Sequence, residues 1–357
     1  MEIHQVLVGA SSGDAITNEA LQMRRLLRTT GPSEIFSKYI GEDVEGIRFI
    51  HEYRDLESAR RGDNILLVHS SIGEAEVFEF LRGRPERLLM RFHNITPPEM
   101  FARFDPPFQR LLEQGTREIA GLRDRVVLAL ADSRFNADCL LELGYERTRV
   151  VPLLLDLAGL MAIPPAPLPG LELPAPGAGP VVLFVGRVAP NKGYQDLVKA
   201  FHVLKTYHRP DAQLWCVGGK AHGRYRAAVD RLIAGLGLPG VVFTGPIDDP
   251  QLATVFRRAD VYVSLSAHEG FGVPLIEAMA HGIPVVAWDN TAVGETMGGA
   301  GLMLPDPGAL GAAEAIAMVL EDAELRQDLV ARGRARAAHF SAENSSAAFL
   351  TALLEVV

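Results

Sequence analysis

Residues 261–288 read VYVSLSAHEGFGVPLIEAMAHGIPVVAW and predict one complete strand–helix–strand unit. Two short apolar runs, Val261–Ser266 and Pro284–Trp288, have the length and the β-branched content of buried strands. Between them, Val273–His281 carries apolar residues at helical spacing, and Pro274 suits a first helical turn. A strand, a helix and a second strand in this order favour a parallel α/β sheet, in which ligands bind beyond the carboxyl ends of the strands.

The same alternation continues on both sides of this segment, so we predict a parallel sheet in each half of the chain. Further buried strands are predicted at Gln5–Gly9, Asn64–His69, Arg87–His93, Val126–Ala131, Arg149–Leu155, Val181–Gly186, Gln213–Gly218 and Val241–Thr244. Amphipathic helices are predicted at Ala15–Thr29, Gly73–Leu81, Phe108–Leu122, Arg134–Leu143, Gly193–Tyr207, Arg224–Leu236 and Pro250–Ala259, and the tail from Pro307 is predicted to be helical. No short internal repeat is present, which excludes solenoids and propellers.

One segment interrupts the alternation. Ile163–Pro180 reads IPPAPLPGLELPAPGAGP, and its proline and glycine content is incompatible with a helix or a central strand. We interpret it as a linker between two domains. The length of 357 residues fits two doubly wound domains of roughly 150 to 200 residues each.

Composition excludes several classes of protein. The chain is 48% hydrophobic with a net charge of −9, which argues against both a disordered chain and a globally basic nucleic-acid binder. Its two cysteines, Cys139 and Cys216, are too far apart in sequence for a zinc-site spacing and too few for a disulfide framework. Met1 is not followed by a basic segment and a long apolar run, and no uncharged apolar stretch reaches about 18 residues. We therefore expect a cytoplasmic protein.

Two loops that follow predicted strands carry the residues suited to chemistry. His268–Pro284, HEGFGVPLIEAMAHGIP, places Glu269 in a glycine-containing loop and Glu277 on the next helix, whose first N–H groups can bind phosphate. Phe184–Gly193, FVGRVAPNKG, presents Arg187 and Lys192 between a strand and a helix. Two cations at one such junction can meet the oxygens of a leaving diphosphate.

The first of these segments resembles the E-x7-E motif of retaining glycosyltransferases of the GT-B fold, specifically family 4, and the second is similar to the G-R-x4-K-G element of that family. The resemblance implies two Rossmann-like domains facing a cleft. Residues 1–165 would form the acceptor-side domain and residues 166–340 the nucleotide-sugar domain, with a final helix at 341–357 crossing back to the first domain. It implies that Glu269 holds the hydroxyls of the donor sugar, that Glu277 accepts hydrogen bonds from the ribose, and that Arg187 and Lys192 hold the diphosphate.

Softer similarities extend the predicted site. The remaining donor-side residues implied by the resemblance are Gly13, Gly245, Ile247, Gly270, Phe271, Gly272 and Ile276. His93 ends a predicted central strand, and family members place a histidine there, near the reacting carbon of the donor sugar. The predicted acceptor-side residues are Asp14, His69, Ser133 and Arg134. Asp14 and Ser133 have an alternative role as helix caps, and His93 has an alternative role as a structural histidine.

The resemblance predicts a hexosyltransferase that uses GDP-mannose or a UDP-hexose and a hydroxyl acceptor in polysaccharide, glycolipid or glycoside biosynthesis. No D-x-D sequence occurs, so we expect no metal and no other cofactor. Residues 1–165 carry more acidic than basic side chains, and we expect weak or absent membrane contact, although Arg24, Arg25 and Arg28 share one early helix. Neither the oligomeric state nor the acceptor follows from the sequence. The alternatives are a sugar-nucleotide epimerase of the same fold, a Rossmann oxidoreductase, and a non-catalytic sugar-nucleotide-binding protein.

Overall fold

The computed structural model describes residues 2–168, 179–219 and 222–356, which divide into two parallel α/β units. The first unit comprises Met1–Glu99, Pro106–Asp156 and Phe340–Val357, and the second comprises Met100–Asp105 and Leu157–His339. The chain thus enters the second unit at Leu157, earlier than the predicted boundary at residue 165. The final helix belongs to the first unit.

The first unit contains a seven-stranded parallel sheet with the strand order β3-β2-β1-β4-β5-β6-β7. Its strands are β1 (Ile3–Ala10), β2 (Ile35–Ile40), β3 (Arg48–Phe49), β4 (Ile65–Ser70), β5 (Arg87–Phe92), β6 (Val126–Ala131) and β7 (Thr148–Val150). Its helices are α1 (Ala15–Leu27), α2 (Ala75–Arg82), α3 (Pro106–Ala120), α4 (Arg134–Glu142) and, at the end of the chain, α13 (Ala342–Leu353). The strand order reverses between β1 and β4, where a doubly wound sheet opens a crevice for ligands.

The second unit repeats this plan with six parallel strands in the order β10-β9-β8-β11-β12-β13. The strands are β8 (Val181–Val185), β9 (Gln213–Val217), β10 (Val241–Gly245), β11 (Val261–Ser264), β12 (Val285–Trp288) and β13 (Leu302–Leu304). The helices are α5 (Leu157–Ala162), α6 (Tyr194–Tyr207), α7 (Gly223–Gly235), α8 (Asp249–Arg258), α9 (Val273–Ala280), α10 (Val293–Met297), α11 (Ala309–Glu321) and α12 (Ala323–His339). The reversal here lies between β8 and β11.

Most predicted elements are present with small shifts at their ends, and the differences have physical causes. The predicted strand Arg149–Leu155 is wrong beyond Val150, because Pro152 cannot donate a ladder hydrogen bond and the chain instead buries Val151 and Leu154 in the core. The strand β2 was not predicted: IFSKYI places polar Ser37 and Lys38 between its apolar ends. The two-residue β3 and the three-residue β13 are too short to give a periodic signal.

The predicted linker packs on the second unit as far as the structure describes it. The carbonyl of Ala166 accepts a hydrogen bond from Thr254 Oγ1 at 2.6 Å, and the carbonyl of Ile163 accepts one from Arg257 at 3.0 Å. These two donors belong to α8, so the segment up to Leu168 extends the second unit. The central part of the predicted linker, residues 169–178, lies outside the described residues.

The final helix completes the core of the first unit. Phe349 and Leu353 of α13 are buried in a cluster with Ile3 and Leu27, at the end of the sheet where the strands begin. Burying such side chains contributes about 1.5–3 kcal/mol each. Among the described residues, no helix is both long and apolar enough to cross a membrane.

Candidate active site

The loops that follow β8 and β11 meet at the strand-order reversal of the second unit. Lys192, in the loop after β8, donates a hydrogen bond of 2.6 Å from its Nζ to Oε1 of Glu269, in the loop after β11. Both side chains remain accessible, with exposures of 16% and 14%. Arg187 leaves the end of β8 and is exposed, and within the described residues its side chain forms no ion pair. Three of the predicted donor-site residues are therefore found at the edge where such sheets bind ligands.

Gly193 explains why lysine is followed by glycine in this loop. Its φ of 63° lies in the left-handed region, and a Cβ at this position would overlap the carbonyl oxygen of Leu265. The close approach lets the chain turn from the short 3₁₀ segment Pro190–Lys192 into α6 directly against the end of β11. Gly193 therefore sets the position of Lys192 relative to Glu269.

Asn191 joins the two loops from within. Its backbone carbonyl accepts hydrogen bonds from the N–H groups of Ala267 (2.8 Å) and His268 (3.3 Å), and its side-chain Nδ2 donates to the carbonyl of His268 at 3.3 Å. The residue is buried, so these bonds are shielded from water. Sequence reasoning assigned it no role, although it lies inside the G-R-x4-K-G segment.

A third loop, after β12, holds Glu269 from its other side. Thr291 Oγ1 accepts the backbone N–H of Glu269 at 3.0 Å, and Asn290 Nδ2 donates to the carbonyl of Ala267 at 2.6 Å. Thr291 has a φ of 51°, which is unusual for a β-branched residue and is strained. Its position in space, and not any motif, reveals this role, so the sequence carried no signal for it.

The glycine segment between the two acids forms the start of α9. Gly272 has a φ of 92° and is the N-cap residue, with Pro274 in the first turn. Phe271 is buried, and its carbonyl accepts a hydrogen bond from Thr296 Oγ1 at 2.6 Å. The Ile276 side chain is fully buried, so this predicted donor-site residue lies in the core and leaves no side chain to contact a ligand.

Glu277 is the second acid of the motif and lies on α9, half-buried. Burial is the main cause that raises the pKa of its carboxyl to about 7, and the Asp249 carboxylate raises it further. Within the described residues the carboxyl group accepts no hydrogen bond and forms no ion pair. A carboxyl group held in this way is prepared to accept hydrogen bonds from a ligand.

Two more of the predicted donor-side residues, Gly245 and Ile247, lie at the carboxyl end of β10. Gly245 closes β10 with a φ of 71°, and its carbonyl accepts the N–H of Gly218 at 3.2 Å. Ile247 follows in the loop before α8 and is partly exposed. These two positions line the same edge of the sheet as the residues after β8.

In the first unit, a chain of buried polar side chains runs from within β1 to the carboxyl ends of β4, β5 and β6. His69 Nε2 lies 2.9 Å from Gln5 Oε1, and His69 Nδ1 lies 2.9 Å from His93 Nε2. His93 Nδ1 lies 3.1 Å from Asp132 Oδ2. The His93 side chain is only 4% exposed, with both ring nitrogens already in hydrogen bonds. Contact between His93 and a sugar hydroxyl, as predicted, requires that one of these bonds be exchanged.

A buried ion pair supports this chain. Arg91 Nη2 lies 2.6 Å from Glu19 Oε1 and 3.0 Å from Asp132 Oδ1, and its Nη1 donates to the carbonyl of Val151 at 2.6 Å. Glu19, His69 and His93 place potential metal-ligand atoms within 4.8 Å of one another. However, Glu19 already accepts hydrogen bonds from Arg91 and from the N–H of Leu154. The donors and acceptors therefore fit a hydrogen-bond network better than a metal centre.

The other predicted residues of the first unit act locally. Asp14 caps α1 by accepting hydrogen bonds from the N–H and the Oγ1 of Thr17, both at 3.0 Å. Ser133 caps α4 by accepting the N–H of Asn136 at 3.1 Å. For both residues the structure supports the capping alternative. Gly13 is exposed with a φ of 70°, and Arg134 is exposed at the first residue of α4.

Comparison with known proteins agrees with this geometry. Residues 172–336 match the family described as glycosyl transferases group 1. The chain is 30% identical to the O-antigen chain mannosyltransferase B of Escherichia coli over 322 residues, which cover 84% of this chain and 77% of that protein. It is 38% identical to the phosphatidyl-myo-inositol mannosyltransferase of Mycobacterium tuberculosis over 169 residues, which cover 45% and 43%.

Solved structures show the same architecture. The Anabaena protein Alr3699/HepE, in complex with UDP and glucose, superimposes with a TM-score of 0.77 at 17% identity, and the alignment covers 100% of both chains. Sucrose-phosphate synthase from Thermosynechococcus elongatus gives a TM-score of 0.75 at 19% identity, covering 100% of this chain and 99% of that one. These likenesses confirm the predicted GT-B fold. With the mannosyltransferase alignment, they confirm the predicted family: the chain belongs to the glycosyl transferases group 1, the family-4-like glycosyltransferases with the GT-B fold.

Proposed function

We propose that this glycosyltransferase moves a hexose from a nucleoside-diphosphate sugar to a hydroxyl acceptor, with retention of the anomeric configuration and without a metal. The observation that carries the proposal is the Lys192–Glu269 pair, at 2.6 Å, beside the exposed Arg187, which forms no ion pair with any residue that the structure describes. Cations at the carboxyl end of a strand can bind a diphosphate, and an adjacent carboxylate can accept hydrogen bonds from sugar hydroxyls.

Donor binding would exchange the partners of this pair. Lys192 and Arg187 would bind the diphosphate, which releases Glu269 to accept hydrogen bonds from the sugar. The backbone N–H groups of the segment Gly270–Gly272 and of the first turn of α9 add further donors for the phosphate. Glu277, with its raised pKa and no protein partner among the described residues, would accept hydrogen bonds from the ribose hydroxyls.

The reaction can then proceed on one face of the sugar. The acceptor hydroxyl oxygen forms a bond to the anomeric carbon as the bond from that carbon to the phosphate oxygen breaks, and the departing phosphate oxygen takes the hydroxyl proton. Negative charge grows on the diphosphate during this step, and Lys192 and Arg187 stabilise it. The same two cations fill the role that a divalent ion fills where a D-x-D site is present.

The identity of the donor is proposed from the relatives. Two of the similar proteins are named as mannosyltransferases, which supports GDP-mannose. A structural neighbour binds UDP and glucose, which keeps a UDP-hexose as the second choice. The acceptor would be a hydroxyl of a glycan, a lipid-linked saccharide or a small glycoside.

A donor panel tests the proposal. The purified chain is incubated with GDP-mannose, UDP-glucose and UDP-N-acetylglucosamine in excess chelator, and release of the nucleoside diphosphate is measured with water or added glycosides as acceptors. We expect one donor to be consumed, with an α-linked or free sugar of unchanged configuration as product. Consumption of none of them, a strict need for added Mg²⁺, an inverted product, or epimerisation of the nucleotide sugar would each refute the proposal.

A further inference from the structure

The chain Gln5–His69–His93–Asp132 runs from within β1 to the carboxyl ends of β4, β5 and β6 in the first unit. Its three junctions measure 2.9, 2.9 and 3.1 Å between the polar atoms, so each is a hydrogen bond and each contains one hydrogen atom. The donor at each junction is determined, because contacts with other groups fix the hydrogen-bonding roles of Gln5 and Asp132, the two ends of the chain.

Gln5 fixes the first junction. Its Nε2 donates to the carbonyl of Ala20 at 3.0 Å in a fully buried position, and a flipped amide would place two acceptors against each other. Gln5 Oε1 therefore faces His69 Nε2 as an acceptor, and His69 Nε2 must carry a hydrogen atom.

Asp132 fixes the last junction. Its Oδ1 lies 3.0 Å from Nη2 of Arg91, whose guanidinium carries a positive charge, and a carboxylate in an ion pair with a cation can only accept. His93 Nδ1 must therefore carry a hydrogen atom. The middle junction, between His69 Nδ1 and His93 Nε2, contains a third hydrogen atom. Two neutral imidazole rings carry only two hydrogen atoms on their nitrogens.

We infer that the His69–His93 pair carries one positive charge, that the charge resides on His93, and that His69 is the positioning residue that accepts the second N–H of His93. Under this assignment His93 is an imidazolium ion that donates to Asp132 through Nδ1 and to His69 through Nε2. His69 is neutral and donates a hydrogen bond from its Nε2 to Oε1 of Gln5.

The surroundings favour this location of the charge. Burial is the main cause that lowers the pKa of His69 well below its ordinary value, and the neighbouring His93 and Arg91 lower it further. His93, by contrast, faces two acids, Asp132 on the loop after β6 and Glu19 of α1, whose Oε2 lies 3.6 Å from His93 Nε2. With Arg91, the cluster then contains two cations and two anions and is neutral. Without the extra proton it would be a buried net anion, which is costly.

The charge also matters for the reaction, and this consequence rests on the proposed function. A neutral cluster in the first unit does not repel an anionic substrate group that binds at these strand ends, whereas a net anion does. Loss of the shared proton at higher pH should therefore reduce turnover.

Nuclear magnetic resonance of the full chain, with ¹⁵N-labelled histidine at pH 7.5, tests the charge directly. We expect one ring with both nitrogens protonated, assigned to His93 by its loss in His93→Gln, and a neutral His69 ring protonated at Nε2. Neutral rings at both positions, or a doubly protonated His69 beside a neutral His93, would overturn the inference.

The variant Gln5→Met tests the positioning role of His69, because it removes the acceptor at the start of the chain with little change in shape. His69 can then move its hydrogen atom to Nδ1, and the pair can be neutral. We expect the proton affinity of His93 to fall about tenfold. The pH at which kcat/KM declines should then move down by about one unit. Asn64→Leu, which removes another buried amide from the same unit, is the matched control and should leave both readouts unchanged.

The two arms separate this inference from the proposed function. A protonated His93 in a chain that consumes no nucleotide sugar would leave the charge assignment intact and refute the proposed function. An unchanged proton affinity in folded Gln5→Met would overturn the positioning role of His69, whatever the activity. If Gln5→Met does not fold, the wild-type spectrum still decides the charge.

Discussion

Neutralising Glu277 should stabilise the ligand-free second unit above pH 7. The folded chain raises the pKa of this carboxyl from its ordinary value of 4.5 to about 7, mainly by burial. Between these two values the folded state binds more protons than the unfolded state, so the contribution of Glu277 to stability falls as the pH rises through about 7 and is constant above it. Glu277→Gln removes this cost because an amide does not ionise.

The size of the effect follows from the two pKa values. Each tenfold change in proton affinity corresponds to about 1.4 kcal/mol, so a rise from 4.5 to about 7 corresponds to roughly 3 kcal/mol at pH 8. At pH 5 the carboxyl is already protonated in the folded state, and the difference should fall below about 1 kcal/mol.

Tryptophan fluorescence provides a selective assay. The only two tryptophans, Trp215 in β9 and Trp288 in β12, both belong to the second unit, which also contains Glu277. Urea unfolding followed by this signal at pH 5, 6, 7 and 8 should show wild-type and Glu277→Gln curves that separate as the pH rises. Glu324→Gln removes an exposed acid from the same unit and should change stability by less than about 0.5 kcal/mol.

Two results would refute this reasoning. One is a Glu277→Gln variant that is no more stable than the wild type at pH 8. The other is a stability difference that grows as the pH falls, since that would mean that Glu277 is stabilised in its ionised form.

The remaining predictions concern the loops and the surface. Gly193→Ala should lower the stability of the second unit by at least about 1–3 kcal/mol, because alanine is strained at a φ of 63° and its Cβ would overlap the Leu265 carbonyl; a wild-type urea midpoint would contradict this. In a transfer assay, Glu269→Ala should mainly lower kcat and Glu277→Gln should mainly raise the KM for the donor, and the reverse order would show that the two roles are exchanged. Vesicles with anionic lipid should carry little protein in flotation at physiological salt. Arg28, which directly follows α1, already donates to the Ser33 carbonyl and pairs with Glu34. Strong co-flotation that is abolished by reversing the charges of Arg24, Arg25 and Arg28 would refute this expectation.

The parts of the fold that a local pattern determines were predictable. Long apolar runs such as Val126–Ala131 are strands because burial on both faces of a parallel sheet needs continuous apolar sequence, and that strand has the predicted bounds. The strand β2 was missed because its polar residues break such a run. The end of the predicted strand Arg149–Leu155 was wrong because apolar residues can be buried without joining a sheet.

The candidate site likewise contains some residues that a local motif identifies and others that only tertiary contacts identify. Glu269 and Lys192 could be selected because they lie in dense motifs, and the structure brings them to 2.6 Å. Thr291, which holds Glu269 through its backbone N–H, could not be selected, because its role depends on a contact between residues 22 positions apart in sequence. Gln5 was likewise invisible as a partner of His69, since 64 positions separate them and only the pairing of β1 with β4 brings them together.

Nucleotide titration measures whether Lys192 binds the diphosphate of the donor. GDP and UDP are titrated in excess chelator into the wild type, into Lys192→Ala and into Lys199→Ala, which removes an exposed lysine of the neighbouring helix α6. We expect at least one nucleotide to bind the wild type and Lys199→Ala equally, and to bind Lys192→Ala roughly tenfold to a hundredfold more weakly, because a charge-assisted contact to the diphosphate is lost. Absence of binding to the wild type by both nucleotides, or equal affinity for Lys192→Ala, would contradict this expectation.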